Sequence, residues 1–173
     1  MATTARGTFM GNRAYGNRWL VCELHFERQL KEPRKYPKLF FLDEAVAFAA
    51  GHRPCLTCRR HRYQAYMDAV RSEYAVDTAA ELDNMLTGRR QAPRPRMAVG
   101  ALPDGAFVEL GDEDYRVLWR GALHRWTPEG YTAPSPAEAV GIDEAIVLTP
   151  GPSLAALRHG YPVVMHPSLS GHP

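Results

Sequence analysis

Apolar positions recur at helical spacing over residues 54–74. Leu56, Tyr63, Met67, Val70 and Tyr74 form one stripe, which predicts an amphipathic helix from about Pro54 or Cys55 to Tyr74. Its stripe belongs in a core, and Arg59, Arg60, Arg62 and Arg71 are left on the outer face. Upstream, Arg18–Phe26 alternates weakly around β-prone Trp19, Val21 and Phe26 and reads as a strand. Leu39–Leu42 is a short apolar run read as a buried strand. Asp43 then caps a helix over Glu44–Ala50, with Gly51 as its stop. Thr78 with Glu81 spells a capping box for a helix through Leu86, ended by Gly88. The proline-interrupted run Arg89–Arg96 has no apolar face and reads as a linker.

Beyond residue 96 the period changes. Ala106–Leu110, Tyr115–Trp119 and Ala122–Trp126, separated by turn residues Gly111–Asp114 and Arg120-Gly121, predict a three-stranded meander. Glu144–Leu148 is a further strand, Ser153 caps a helix through His159, and Pro162–Met165 is a last short strand. The fold class expected is α+β. A knuckle-bearing region with short strands and two to three helices, residues 1–96, would lie against a small, mainly antiparallel region, residues 97–173, either as two units or as one compact one.

Hydrophobic residues make up 45% of the 173, enough to build a core. No run approaches the roughly 18–20 apolar residues that span a bilayer, and the N-terminus lacks the apolar stretch of a secretory signal. These features lead to the expectation of a cytoplasmic protein with no membrane partner. The net charge of +2 hides an asymmetry: residues 1–96 carry 17 Lys/Arg against 10 Asp/Glu, and residues 97–173 carry 4 against 9. A basic first half suits a phosphate-bearing partner.

Three cysteines cannot build a paired disulfide framework. Cys55 and Cys58, in Gly51-His52-Arg53-Pro54-Cys55-Leu56-Thr57-Cys58, have the spacing by which one tight turn offers two thiolates to a zinc ion. Cys22 and His25, again three apart, supply a second pair that completes four ligands. His52 and His61, each three from the knuckle, are the competing fourth ligands, ranked after His25. Redox use of the Cys-x-x-Cys pair fits poorly, because a helix pattern and Gly51 precede it where a strand is needed.

The stretch Leu39-Phe40-Phe41-Leu42-Asp43-Glu44-Ala45-Val46-Ala47-Phe48-Ala49-Ala50 followed by Gly51-His52-Arg53-Pro54-Cys55-Leu56-Thr57-Cys58 resembles the metal-binding domain of the Ada methylphosphotriester repair proteins, over about residues 18–62. That resemblance implies a four-ligand zinc site, with Cys22 near the position of the family's reactive cysteine and DNA-backbone contacts from surrounding basic residues. The family's upstream pair is Cys-x-x-x-Cys, whereas this chain has Cys22-x-x-His25. The chain is also similar to bacterial proteins of unassigned activity that share the Phe-Phe-Leu-Asp-Glu-Ala and Gly-His-Arg-Pro-Cys stretches.

The leading expectation is a zinc-binding protein associated with nucleic acid, with a DNA-repair-like role as one form of it. Arg53, Arg59, Arg60 and Arg62 would contact phosphates, helped by Arg89, Arg90, Arg94 and Arg96. The alternatives are a zinc-dependent enzyme acting on a small molecule between the halves, and an interaction module without chemistry. His124, His159 and His166, with Asp104 or Glu109, are the acid–base candidates of the second half.

Overall fold

The computed structural model describes residues 17–23, 40–136 and 142–169. The architecture is mixed α+β, with a mainly antiparallel sheet in the C-terminal part. Strand β1 (Leu20–Val21) pairs in parallel with β2 (Arg53–Pro54), and between them lies α1 (Glu44–Ala49). Next come α2 (Arg60–Arg71) and α3 (Ala79–Gln91). The sheet strands are β3 (Arg96–Ala98), β4 (Phe107–Glu109), β5 (Tyr115–Trp119), β6 (Ala122–Thr127), β7 (Gly130–Tyr131), β8 (Ser135–Pro136) and β9 (Glu144–Val147). Helix α4 (Gly151–Arg158) follows them. Strand order is β3-β9-β4-β5-β6-β7, with β8 also on β6, and every pairing in this sheet is antiparallel. Among the described residues no helix is long and apolar enough to cross a membrane.

Local chemistry accounts for the boundaries. The Asp43 carboxylate accepts the Val46 N–H at 3.0 Å, which caps α1. Thr78 Oγ1 accepts the Glu81 N–H while Glu81 accepts the Thr78 N–H, so both bonds of the capping box open α3. The β5–β6 hairpin turns through Arg120 and Gly121, both at positive φ, as a two-residue turn matched to strand twist requires.

Several expected boundaries move. The long helix starts at Arg60, because Arg53–Pro54 is spent on β2 and Cys55–Arg59 closes a turn, with Arg59 N–H on Cys55 O at 3.0 Å. Leu56 therefore leaves the stripe and is 43% exposed, while Tyr63, Met67 and Val70 are buried. Helix α3 runs through Gly88 into the expected linker, ending at Gln91. Phe41 and Leu42 are irregular rather than a strand, and so is 162–165. Ser153 lies inside α4 instead of capping it, bonding Tyr66 at 2.7 Å.

Helix α4 joins the two halves. With α1, α2 and α3 it closes a core around Phe48, Tyr66, Met67, Leu82 and Leu86, and its Leu154 packs on the sheet face bearing Val108, Leu123 and Val147. Burying a side chain such as Phe48 or Leu82 contributes about 1.5–3 kcal/mol. The opposite sheet face, with Phe107 and Val117, receives Ala45 of α1. The helix that leads into the knuckle is thus seated on the sheet.

Candidate metal centre

The parallel pairing of β1 with β2 sets Leu20 opposite Arg53 and Val21 opposite Pro54. Arg53 N–H donates to Trp19 O at 3.1 Å and Cys55 N–H to Val21 O at 3.0 Å. The next step of that register puts Cys22 beside Cys55, and the turn after β2 returns Cys58 to the same place. The sulfurs of Cys22, Cys55 and Cys58 all lie within 4.8 Å of one another. Thiolates on one tetrahedral zinc ion, at about 2.3 Å from it, stand roughly 3.8 Å apart, so the group fits a single ion after a small contraction.

The electrostatics of the three thiols also suit a metal. Cys55 is pulled down to about 4, first by the hydrogen bond it accepts from Cys22, against the opposing effect of burial, and further by the backbone N–H groups of Cys58 and Thr57. Cys22 is pushed up, because it supplies that proton and sits beside Cys55 and Cys58. Cys58 is raised by burial, although the Glu23 N–H donates to its Sγ at 3.3 Å. A thiolate held by backbone donors beside two further thiols is a soft donor set, the kind that favours zinc and other thiophilic ions over magnesium or calcium. All three cysteines are free of disulfides.

Neither competing histidine joins this group. His52 is buried with its ring 5.1 Å from Trp19 and 4.6 Å from Phe41, and its Nδ1 has no hydrogen-bond partner. Burial, helped by Arg90, lowers its pKa to about 4. His61 is exposed on the first turn of α2. His25, the candidate ranked first, lies outside the described residues.

The arginines expected to hold phosphates are placed differently from one another. Arg53 is 2% exposed, forms a bidentate pair with Asp83, and stacks 5.2 Å over Tyr63, so it is not offered to solvent. Arg59 bridges Glu23 at 2.6 Å and Glu44 at 2.7 Å. Arg62 grips the same Glu44 carboxylate and donates to Pro162 O at 2.7 Å. Arg60 alone of the four is exposed without an ion pair among the described residues. Arg90 is structural: it bonds Gly51 O at 2.9 Å and Asn17 O at 3.1 Å, and lies 4.2 Å over Trp19.

Sequence reasoning treated Glu44 only as a favourable charge at a helix N-terminus. In the fold its buried carboxylate takes Arg59, Arg62, Tyr161 Oη and Val164 N–H. The neighbouring Asp43 takes Tyr131 Oη at 2.8 Å and His166 N–H at 3.1 Å. The two adjacent carboxylates tie the knuckle side of the molecule to its C-terminal segment. The sequence signal is the acidic pair Asp43-Glu44 opening a helix, with Arg59 and Arg62 just past the knuckle to meet it.

The second-half histidines do not converge. His159 meets Glu73 at 3.0 Å, His166 Nδ1 meets Ser168 Oγ at 2.9 Å, and His124 is buried in β6. Comparison with protein-family models, curated proteins and solved structures finds no match to this chain.

Proposed function

We propose that Cys22, Cys55 and Cys58, completed by His25, hold one structural zinc ion that fastens the segment 17–23 onto the body of the protein. The observation that carries this reading is the convergence of three sulfurs from two distant segments within 4.8 Å. Zinc would link the ends of the β1–β2 ladder, a two-residue pairing that is weak by itself, and add to the hold of Arg90 on Asn17 and Trp19. The Ada-like resemblance of residues 18–62 supports the reading through Cys55 and Cys58, while the upstream pair departs from that family in having His25. A closed four-ligand site is what a scaffolding ion needs, whereas catalysis requires an open position.

The test is metal content and coordination on the purified chain. One zinc per chain is expected, and cobalt substitution should give the visible bands of a tetrahedral thiolate-rich site. Cys22→Ser and His25→Ala should each weaken retention. A metal-free, fully folded protein overturns the proposal. Three protein ligands with a bound water would move the reading to zinc-dependent catalysis.

We propose further that the knuckle side of the chain associates with nucleic acid. Arg18 and Arg60 are exposed on either side of the knuckle, in the basic half of the chain. Neutralising phosphates with these groups predicts that log affinity for an oligonucleotide falls linearly with log salt. A flat salt response, or no binding, removes it.

A further inference from the structure

A cleft of about 290 Å³ lies where the end of α2, the end of α3, the approach to β3 and the start of α4 meet. Its polar lining is unbalanced. Arg89, Arg94 and Arg158 reach it, against one carboxylate, Glu73. That carboxylate is already engaged, by Arg158 Nη1 at 2.5 Å and by His159 Nε2 at 3.0 Å. Arg94 donates Nη1 to Leu148 O at 2.7 Å, and its nearest acting carboxylate is Glu109, outside the cleft lining. Arg89 has no hydrogen-bonding or ion-pair partner among the described residues, and neither does the Tyr74 hydroxyl.

Tyr74 and Arg89 meet at the start of α4. A Cβ on Gly151 would fall 2.5 Å from Tyr74 Oη and 3.9 Å from Arg89 Nε, so glycine is required for the phenol to rest on the first residue of α4. The residue before that helix is Pro150, which supplies no side-chain cap, and Ser153 turns to Tyr66. Arg89 and Arg94 are exposed and line the cleft beside the start of this helix, and Glu109 is the carboxylate whose charge acts on Arg94. Burial lowers the pKa of Arg94, against the opposing effect of the Glu109 carboxylate.

We propose that this cleft binds the phosphate group of a phosphomonoester. Arg89, Arg94 and Tyr74 offer more donors than the two oxygens of a carboxylate can use, and a phosphate's three free oxygens match them. The cavity holds the phosphate and a small attached group. The proposal does not depend on the metal centre.

Isothermal titration of the full zinc-loaded chain with inorganic phosphate tests it, with acetate as control. Phosphate should bind, acetate should bind at least tenfold more weakly, and Arg89→Gln and Arg94→Gln should each weaken phosphate about tenfold. Arg89→Gln removes no observed contact, so its fold is expected to hold; Arg94→Lys keeps the charge if Arg94→Gln unfolds. Arg96→Gln, outside the cleft, should leave binding unchanged. Absence of phosphate binding, or binding indifferent to Arg89→Gln, overturns the proposal. Competition by a short single-stranded oligonucleotide supports the site with a nucleic-acid backbone as its phosphate source. No competition supports it with a free phosphomonoester.

Discussion

The Arg53 guanidinium meets the Asp83 carboxylate fork to fork, Nε to Oδ1 at 2.7 Å and Nη2 to Oδ2 at 2.8 Å, with both side chains nearly inaccessible to water. The pair links β2 to α3, and Arg53 Nη1 also donates to Pro54 O at 3.0 Å. It therefore fixes the strand that leads directly into Cys55. Removing one member of a buried pair leaves an uncompensated charge and costs about 3–5 kcal/mol, while replacing both by apolar groups can be close to neutral. Asp83→Ala should lose that amount in urea unfolding of the purified protein. Arg53→Met combined with Asp83→Leu should recover most of it.

His52 gives a pH dependence with a definite sign. Its folded pKa is lowered to about 4 from an ordinary value of 6.5, first by burial and then by Arg90. Between those values the unfolded chain binds the extra proton, so stability is complete above about pH 6.5 and falls as pH drops toward 4. The full effect is about 3 kcal/mol, each unit being worth about 1.4 kcal/mol. Acid also protonates the thiols, so the measurement is the difference between wild type and His52→Phe across this window. The phenyl ring suits the cage of Trp19 and Phe41 and cannot titrate. Equal acid slopes in the two proteins would remove His52 as the cause.

How far the sequence discloses this molecule depends on whether a feature is local. The Asp43 cap, the Thr78–Glu81 box and the meander of β4, β5 and β6 are written in neighbouring residues, and each is found. Cys55 and Cys58 announce a knuckle by spacing alone. The pairing of Leu20–Val21 with Arg53–Pro54 has no local signature, since it joins segments 33 positions apart through two residues each. Missing it placed the start of α2 too early and turned Arg53 outward. Gly88 reads as a helix stop, but nothing crowds it, and Arg90, anchored on Gly51 O and Trp19, holds the turn that follows. Val164 sits in a run that looks like a strand, yet its N–H and C=O are both taken by Glu44.

Gly51 is required twice over. Its φ is +81°, which costs a residue with a Cβ about 1–2 kcal/mol, and a Cβ there would lie 2.7 Å from Arg90 Cγ. Arg90 cannot yield freely, because it holds Gly51 O, Asn17 O and the Trp19 face. Gly51→Ala should therefore destabilise by more than the backbone cost and shift Trp19 emission to the red as segment 17–23 loosens. A variant with native emission and a loss below about 1 kcal/mol would show that Arg90 moves without consequence.

Glu44 should matter far more than Glu23, although both bind Arg59. Glu23 is half exposed and holds only the outer side of that guanidinium, so Glu23→Gln is expected to cost under about 1 kcal/mol. Glu44 is 4% exposed and accepts from Arg59, twice from Arg62, from Tyr161 Oη at 3.1 Å and from Val164 N–H at 3.0 Å. An amide in its place turns one acceptor into a donor facing donors and leaves two arginines without their shared charge. Glu44→Gln should lose about 3–5 kcal/mol in urea unfolding. Arg59 directly follows Cys58, so the same substitution should also speed metal transfer to a chelator, with Glu23→Gln close to wild type. Similar losses in the two variants would mean that the buried carboxylate does not organise the knuckle.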